Sequence, residues 1–309
     1  MTSTDLLVQQ AINGLSLGAM YALLALGFTL VYGILELINF SHFNVFMVGS
    51  FAGLWMLQQF GLVGQDTVLH GLPLVGALVA ALAVSMLSAG VLGVVIERVA
   101  LRPLRNVTGP AAMITTIGVS YILFNLVLLF VGAANINFPN PLPREKFAIG
   151  GAVLELREIL IWVVTVVLMA GLVWLVQFTR IGKAMRATAQ DPEAARMMGV
   201  EVDRVIVMAF FAGSALAGAG GLIFGLYYNF TSYVIGFNAG LRAFTAAVLG
   251  GIGNVPGAML GGVLIGLIEA SGGQLISTEW TDVLIFSILV LVLVFRPAGL
   301  LGRLAPTKS

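Results

Sequence analysis

Three groups of residues in this 309-residue chain have types and spacings suited to binding or docking. Asn39, Ser41, His42 and Asn44 interrupt two long apolar runs, with Glu36 just before them. At membrane depth such polar side chains are substrate-path candidates; at a membrane surface the same stretch would be an ordinary wetted loop. The second group is Gly250, Gly251, Gly253 and Asn254, followed by Pro256 and Gly257. Glycine flexibility and the missing proline N–H break a helix there, and the freed backbone groups can hydrogen-bond the charged ends of a small solute. The third is the stretch from Gly182 to Val200. Asp191 reads as an N-cap, Pro192 as the first helical residue, Glu193 as an acid at the positive helix end, and Gly199 as the stop after about two turns. Such a helix would leave Ala194, Ala195, Met197 and Met198 free to dock on another protein, the competing reading being a solvated connector.

Catalytic arrangements are missing from the sequence. There is no Ser/His/Asp set and no carboxylate pair, and the one proximity of note is His42 with Glu36. His42 has no partner at ligand spacing, which argues against a metal site. The dipeptide Gly182-Lys183 has Gln177 at the first glycine place of a P-loop, so no phosphate cradle is expected. The absence of cysteine removes disulfides, thiolate metal sites and cysteine nucleophiles. A net charge of +1 gives no hint of nucleic-acid binding.

The elements that must position these residues are set by composition. The chain is 59% hydrophobic and 9% charged, against about 25% charged for soluble domains, so its main solvent is lipid. Charge-free runs at 6–35, 37–65, 67–96, 106–143, 159–179, 205–241 and 243–268 each exceed the roughly 20 residues that cross a bilayer core as a helix. A shorter run at 283–295 brings the expectation to about eight membrane segments in an all-α polytopic bundle. Membrane strands would alternate apolar and polar residues, and Val163 to Val176 does not. The first ten residues lack Lys and Arg, and the apolar run behind them is too long for a signal peptide, so a retained first span is expected.

Basic residues mark the cytoplasmic side. They gather at Arg98, Arg102 and Arg105; at Arg180, Lys183, Arg186, Arg196 and Arg204; and at Arg296, Arg303 and Lys308. Counting back from the first cluster puts the N-terminus and the loop at 132–158 outside. In that loop Arg144, Lys146 and Arg157 are offset by Glu145, Glu155 and Glu158. If 205–228 then runs outward, two single crossings would leave the basic tail outside. The segment from Arg242 to Glu269 is therefore expected to be two half-helices in a re-entrant hairpin, entered and left from outside and broken near Gly250–Gly257. A glycine-rich packing helix is the alternative, since Gly257 with Gly261 and Gly262 with Gly266 have GxxxG spacing. Small pairs such as Gly14 with Gly18 and Gly49 with Gly53 predict close packing, and Asn125 and Gln177 are expected to hydrogen-bond to neighbouring helices.

Glu193-Ala194-Ala195, with Gly199 after three further residues, resembles the EAA loop of ABC importer permeases. Four more segments widen the likeness: Asn13 to Leu23, Ile38 to His42, Ile96 to Arg98 with Arg102 to Arg105, and Ala243 to Ala258. Together they are similar to the LivH-type permeases of branched-chain amino acid transporters across nearly the whole chain. That family usually has alanine and glycine where this chain has Ser41 and Phe43.

The resemblance implies a single permease domain over 1–309, with a cytoplasmic coupling loop at 180–204, in the bacterial inner membrane. The N-terminus would be periplasmic and the C-terminus cytoplasmic. Implied partners are a second, LivM-like permease subunit, two ATPase subunits holding ATP and Mg, and a periplasmic solute-binding protein; this chain itself would hold no cofactor. Coupling to the ATPases would rest on Arg186, Asp191, Glu193, Ala194 and Gly199. The substrate path would be bordered by Asn39, Ser41 and His42 on one side and Gly250, Gly251, Gly253 and Asn254 on the other. Rival readings are a permease for urea or short-chain amides, a stand-alone secondary transporter and an intramembrane enzyme. The acidic residues Glu36, Glu97, Glu269 and Asp282, lying at segment ends, weigh against the secondary transporter.

Overall fold

A computed structural model describes residues 3–63, 69–105, 107, 110–143, 145–149 and 151–302. Of the expected topology markers, Arg144, Arg303 and Lys308 lie outside the described residues. Eleven α-helices occur among the described residues: α1 (Ser3–Leu35), α2 (His42–Gln59), α3 (Gly71–Ile96), α4 (Ala111–Val131), α5 (Leu156–Phe178), α6 (Arg180–Gln190), α7 (Pro192–Met197), α8 (Val202–Tyr228), α9 (Ile235–Gly250), α10 (Val255–Leu275) and α11 (Thr281–Phe295). Seven of them are long and apolar enough to cross a bilayer. The 18-residue α2 and the 16-residue α9 complete a polytopic helical bundle.

The core is built around α1 and α8, whose most apolar windows are 83% and 78% buried in protein. Lipid tails are as apolar as leucine, so helices associate where small residues let backbones approach. A Cβ added at Gly18 would lie 2.8 Å from the Val263 Cα of α10. One at Gly49 of α2 would collide with Gly218 of α8, and one at Gly213 of α8 would lie 2.7 Å from the Gly27 carbonyl of α1.

Two short antiparallel strand pairs tie loops together at one end. β1 (Ile136–Asn137) pairs with β4 (Phe230–Thr231), and β2 (Lys146–Ile149) with β3 (Ala152–Glu155). The second hairpin reaches back to the start of α1, where Asp5 Oδ1 accepts from Gly151 N at 3.1 Å and Gln9 Oε1 from Val153 N at 2.8 Å. Arg157 pairs with Glu155 at 3.0 Å and donates to the Tyr227 carbonyl at 2.9 Å. The opposite end carries the α6–α7 connector and is called the connector end below.

The expected break is present at Gly251 to Asn254, where Gly251 and Gly253 take φ of +108° and +87°. The flanking helices differ from the expected half-helices. α9 has 16 residues, but α10 has 21 and is long enough to cross. The tip lies at the connector end, where it packs on Gly299 and Gly302 behind α11, and Leu300 N donates to the Leu249 carbonyl at 2.8 Å. The apolar run at 205–241 is itself divided, by Asn229 (φ +58°) and β4, into α8 and the start of α9. Three helices therefore follow α8, and α11 returns the chain to the connector end.

Arg242 and Glu269, expected at segment ends, sit inside α9 and α10 because they neutralise each other there. Their side chains meet at 2.8 Å, 23% and 13% exposed. Arg242 also pairs with Asp282 at 2.9 Å and donates to Tyr21 Oη at 3.4 Å. Asn125 was expected to bond a neighbouring helix; it donates instead to the Tyr121 carbonyl of its own helix at 2.8 Å. Gln177 is exposed.

Candidate functional site

The connector opens at Thr179, whose Oγ1 accepts from Gly182 N at 3.0 Å and caps α6. Gly182, Met185 and Thr188 form the buried face of α6, which packs on α1, α5 and α8. Asp191 then caps α7 as its sequence implies, its Oδ1 accepting from Glu193 N at 2.9 Å and Ala194 N at 3.0 Å. Gly199 takes φ +81°, and Val200 N reaches back to the Ala195 carbonyl at 3.0 Å, which closes the helix.

The residues offered for docking divide. Met197 and Met198 are 87% and 85% exposed, with Asp191, Glu193, Ala194 and Gly199 also on the surface. Ala195 is turned inward and joins the hydrophobic core, because the opposite face of so short a helix must rest on the bundle. Arg186 is exposed, but its guanidinium folds back to donate to the Val176 carbonyl at the end of α5.

The polar stretch from Asn39 to Asn44 is not a wetted loop. Asn39, Ser41, His42 and Asn44 are all buried, between 0% and 4% exposed. A Cβ at Gly27 would lie 2.7 Å from His42 Nε2, and Gly27 is eight residues, or about 12 Å, inside the end of α1. Asn39 Oδ1 accepts from Ser41 N at 3.1 Å and from Ser41 Oγ, closing a turn that starts α2 inside the bundle. Phe40 N donates to Thr116 Oγ1 at 3.2 Å, and Asn44 Nδ2 to Ser120 Oγ at 2.6 Å, both on α4. Glu36 is exposed and forms no ion pair with His42. His42 instead packs edge-on to Phe28 at 6.3 Å, without a side-chain hydrogen-bond partner among the described residues.

The two breaks face the same helix at different heights. Gly253 lies against Gly33 of α1, where an added Cβ would be 3.5 Å from the Gly253 Cα. His42 lies against Gly27, about 9 Å along the axis. Asn254 caps α10 by accepting from Gly257 N at 3.0 Å and donates to the Leu301 carbonyl at 2.6 Å. Gly250 is buried against Gly257.

A further link beside the connector was readable only as topology charge. Glu97 is fully buried and pairs with Arg105, which also holds Asp203 at 2.7 Å; Arg102 holds the same carboxylate at 2.8 Å. These bonds fasten the end of α3 to the start of α8. The signal in the sequence was an acid within a basic cluster, at the end of an apolar run. Among the described residues, no group of three His, Cys, Asp or Glu side chains could hold a metal.

Residues 10–293 match the family described as branched-chain amino acid transport system, permease component. The chain belongs to that family. It is 41% identical over 300 residues to the high-affinity branched-chain amino acid transport system permease protein BraD of Pseudomonas aeruginosa, covering 96% of each chain. The same identity holds over 303 residues with the permease protein LivH of Escherichia coli K12, again over 96% of each. A probable LivH of Methanocaldococcus jannaschii is 28% identical over 91% of this chain. No solved structure matches the chain. As a permease component, the chain is a membrane subunit of a transport system and not itself an enzyme, and such a system implies partner subunits.

Proposed function

We propose that this permease is one of two membrane subunits of an ATP-driven importer that carries branched-chain and related hydrophobic amino acids across the bacterial inner membrane. Its partners are a second, LivM-like permease, two ATPase subunits that hold ATP and Mg, and a periplasmic solute-binding protein. The observation that carries the reading is the 41% identity over 96% of both chains to relatives named for that transport. Orientation follows from charge: Arg98, Arg102, Arg105, Arg180, Lys183 and Arg196 all fall at the connector end, so that end is cytoplasmic and the N-terminus periplasmic.

In this reading α7 docks on an ATPase subunit through the exposed Met197 and Met198, with Asp191, Glu193 and Ala194 around them and Gly199 fixing the turn. Arg186 ties the connector to α5, so movement of the docked helix is passed to α5 and α8. The Glu97–Arg105–Asp203 link carries it on to α3. The buried turn at Asn39, Ser41 and His42 and the break at Gly250, Gly251, Gly253 and Asn254 bend the helices that border the substrate path.

The test is purification of the tagged chain from its native membrane, with mass spectrometry of co-purifying subunits and an ATPase assay with leucine-loaded binding protein. ATPase subunits should co-purify, and their stimulated activity should be lost in Glu193→Lys and Gly199→Trp. A lone homo-oligomer that still transports leucine would overturn the proposal.

A further inference from the structure

A cavity of about 500 Å³ opens between α2, α4 and α9, within the roughly 300–1,000 Å³ range of small-molecule sites. Of the buried stretch from Asn39 to Asn44 it touches Phe40, Phe43 and Asn44 but not Asn39, Ser41 or His42; with Ser120, Phe237 and Asn238 those three carry its chemistry. No charged side chain lines it, so a solute with a net charge would stay unpaired there. A zwitterion with an apolar side chain meets no such penalty if both of its charged ends find hydrogen bonds.

The groups for those bonds are present side by side. Asn44 is 3% exposed; its Nδ2 is held by Ser120, while its Oδ1 has no partner among the described residues. A buried acceptor left open costs about 1–3 kcal/mol unless something donates to it. Gly236, in the first turn of α9, lies directly against that oxygen, where a Cβ would come within 2.5 Å of it. The amides of Gly236 and Phe237 are first-turn donors with no intrahelical carbonyl to reach, at the end of the helix that favours an anion.

We infer that this cavity is this subunit's half of the amino-acid site: Asn44 Oδ1, which the first turn of α9 covers in the empty site and uncovers when that turn shifts on binding, accepts from the ammonium, the first-turn amides of α9 donate to the carboxylate, and Phe40, Phe43 and Phe237 take the side chain. The inference rests on the importer reading and gives it a substrate geometry. Phe43 sets how deep the apolar part reaches. Its ring is 3% exposed, stacks on Phe28 at 6.3 Å, meets Phe40 edge-on at 5.6 Å, and occupies the space above Gly240 that any Cβ there would fill. The outer wall is open, with Phe237 57% and Tyr121 64% exposed and the Asn238 amide exposed between α9 and the cavity. An amide at that depth is poorly matched to lipid, so the second permease subunit closes the site.

The experiment uses the assembled importer in nanodiscs, without binding protein, labelled by a diazirine analogue of leucine with and without excess leucine or phenylalanine. Leucine-protected label is expected on the peptides around Ser120 to Phe124 and Val234 to Asn238. Phe43→Ala should improve competition by phenylalanine relative to leucine about tenfold, the scale of a pocket gaining room for part of a side chain. Phe237→Ala, at an exposed ring, should weaken leucine protection without loss of assembly and decides the matter if Phe43→Ala does not accumulate. Asn44→Leu should reduce the preference for leucine over its desamino analogue 4-methylpentanoate, a readout that helix packing alone would not move. Leucine-protected label elsewhere, with these variants unchanged, would overturn the site while leaving the importer reading intact. An assembled complex that imports no leucine with its binding protein present would overturn the importer reading itself.

Discussion

Helices α1 and α4 are both apolar and both long enough to cross a bilayer, yet the most apolar window of α1 is 83% buried in protein and that of α4 only 6%. Hydrophobicity does not separate them, because lipid and protein interior are equally apolar solvents. Side-chain size does. Along α1, Gly14, Gly18 and Gly27 each meet the backbone of another helix at contact distance. Along α4, Gly118 has nothing within 4 Å, and Tyr121, Leu129 and Phe130 point outward, 64%, 76% and 79% exposed. Membrane helices of this bundle are thus sorted into centre and rim by where backbones can touch.

The sharpest way to break that comparison is to place the same side chain at one glycine of each helix. Gly18→Leu must displace the backbone of Val263 and Gly262, and overpacking against backbone is expected to cost at least about 3 kcal/mol. Gly118→Leu fills open space and should change stability by less than about 0.5 kcal/mol. Membrane abundance and thermal unfolding in detergent measure both. Equal loss from the two variants would mean that α4 is covered by protein as tightly as α1.

A second contrast lies among the ion pairs. Arg242 and Glu269 meet inside the bundle, 23% and 13% exposed, while Arg204 and Glu201 meet at 2.7 Å on the surface of the connector end, 74% and 61% exposed. Removing one partner of a buried pair strands the other charge. Arg242→Ala should therefore destabilise the protein by about 3 kcal/mol, and adding Glu269→Gln should restore much of the loss. Arg204→Ala should cost under about 1 kcal/mol. A double-mutant cycle read by thermal unfolding checks this, and no recovery in the double variant would show that Arg242 acts through Tyr21 or Asp282 alone.

The same pair explains where the sequence was misleading. Treating Arg242 and Glu269 as segment ends made one membrane segment of parts of two, because a charge cancelled by a partner on the next helix does not mark the water boundary. The glycine break between them was legible from Gly250 to Gly257, since its cause is local: glycines at positive φ and a proline after an asparagine cap. Local causes also made α7 legible, with its cap at Asp191 and its stop at Gly199. The depth of Asn39 to His42 was not legible, because it depends on Gly27 of another helix making room for His42. The cavity beside it escaped for the same reason: Asn44, Ser120 and Phe237 are brought together only by packing among α2, α4 and α9.

The smallest expected effect lies in the connector, where water replaces lipid and soluble-helix rules return. Asp191 Oδ1 holds two first-turn amides of α7, those of Glu193 and Ala194. Losing such a cap costs about 1 kcal/mol, which is roughly a fivefold change in a local opening equilibrium. Asp191→Ala should therefore speed hydrogen exchange of those two amides about fivefold while leaving the exchange of α1 and α8 unchanged. Asp191→Asn keeps an acceptor at the same place and removes the charge, and asparagine caps as well as aspartate. It should leave the amides protected, which separates the cap from the charge. If Asp191→Asn exchanges as fast as Asp191→Ala, the interaction of a negative charge with the helix end, and not the hydrogen bonds, is what holds α7 in place.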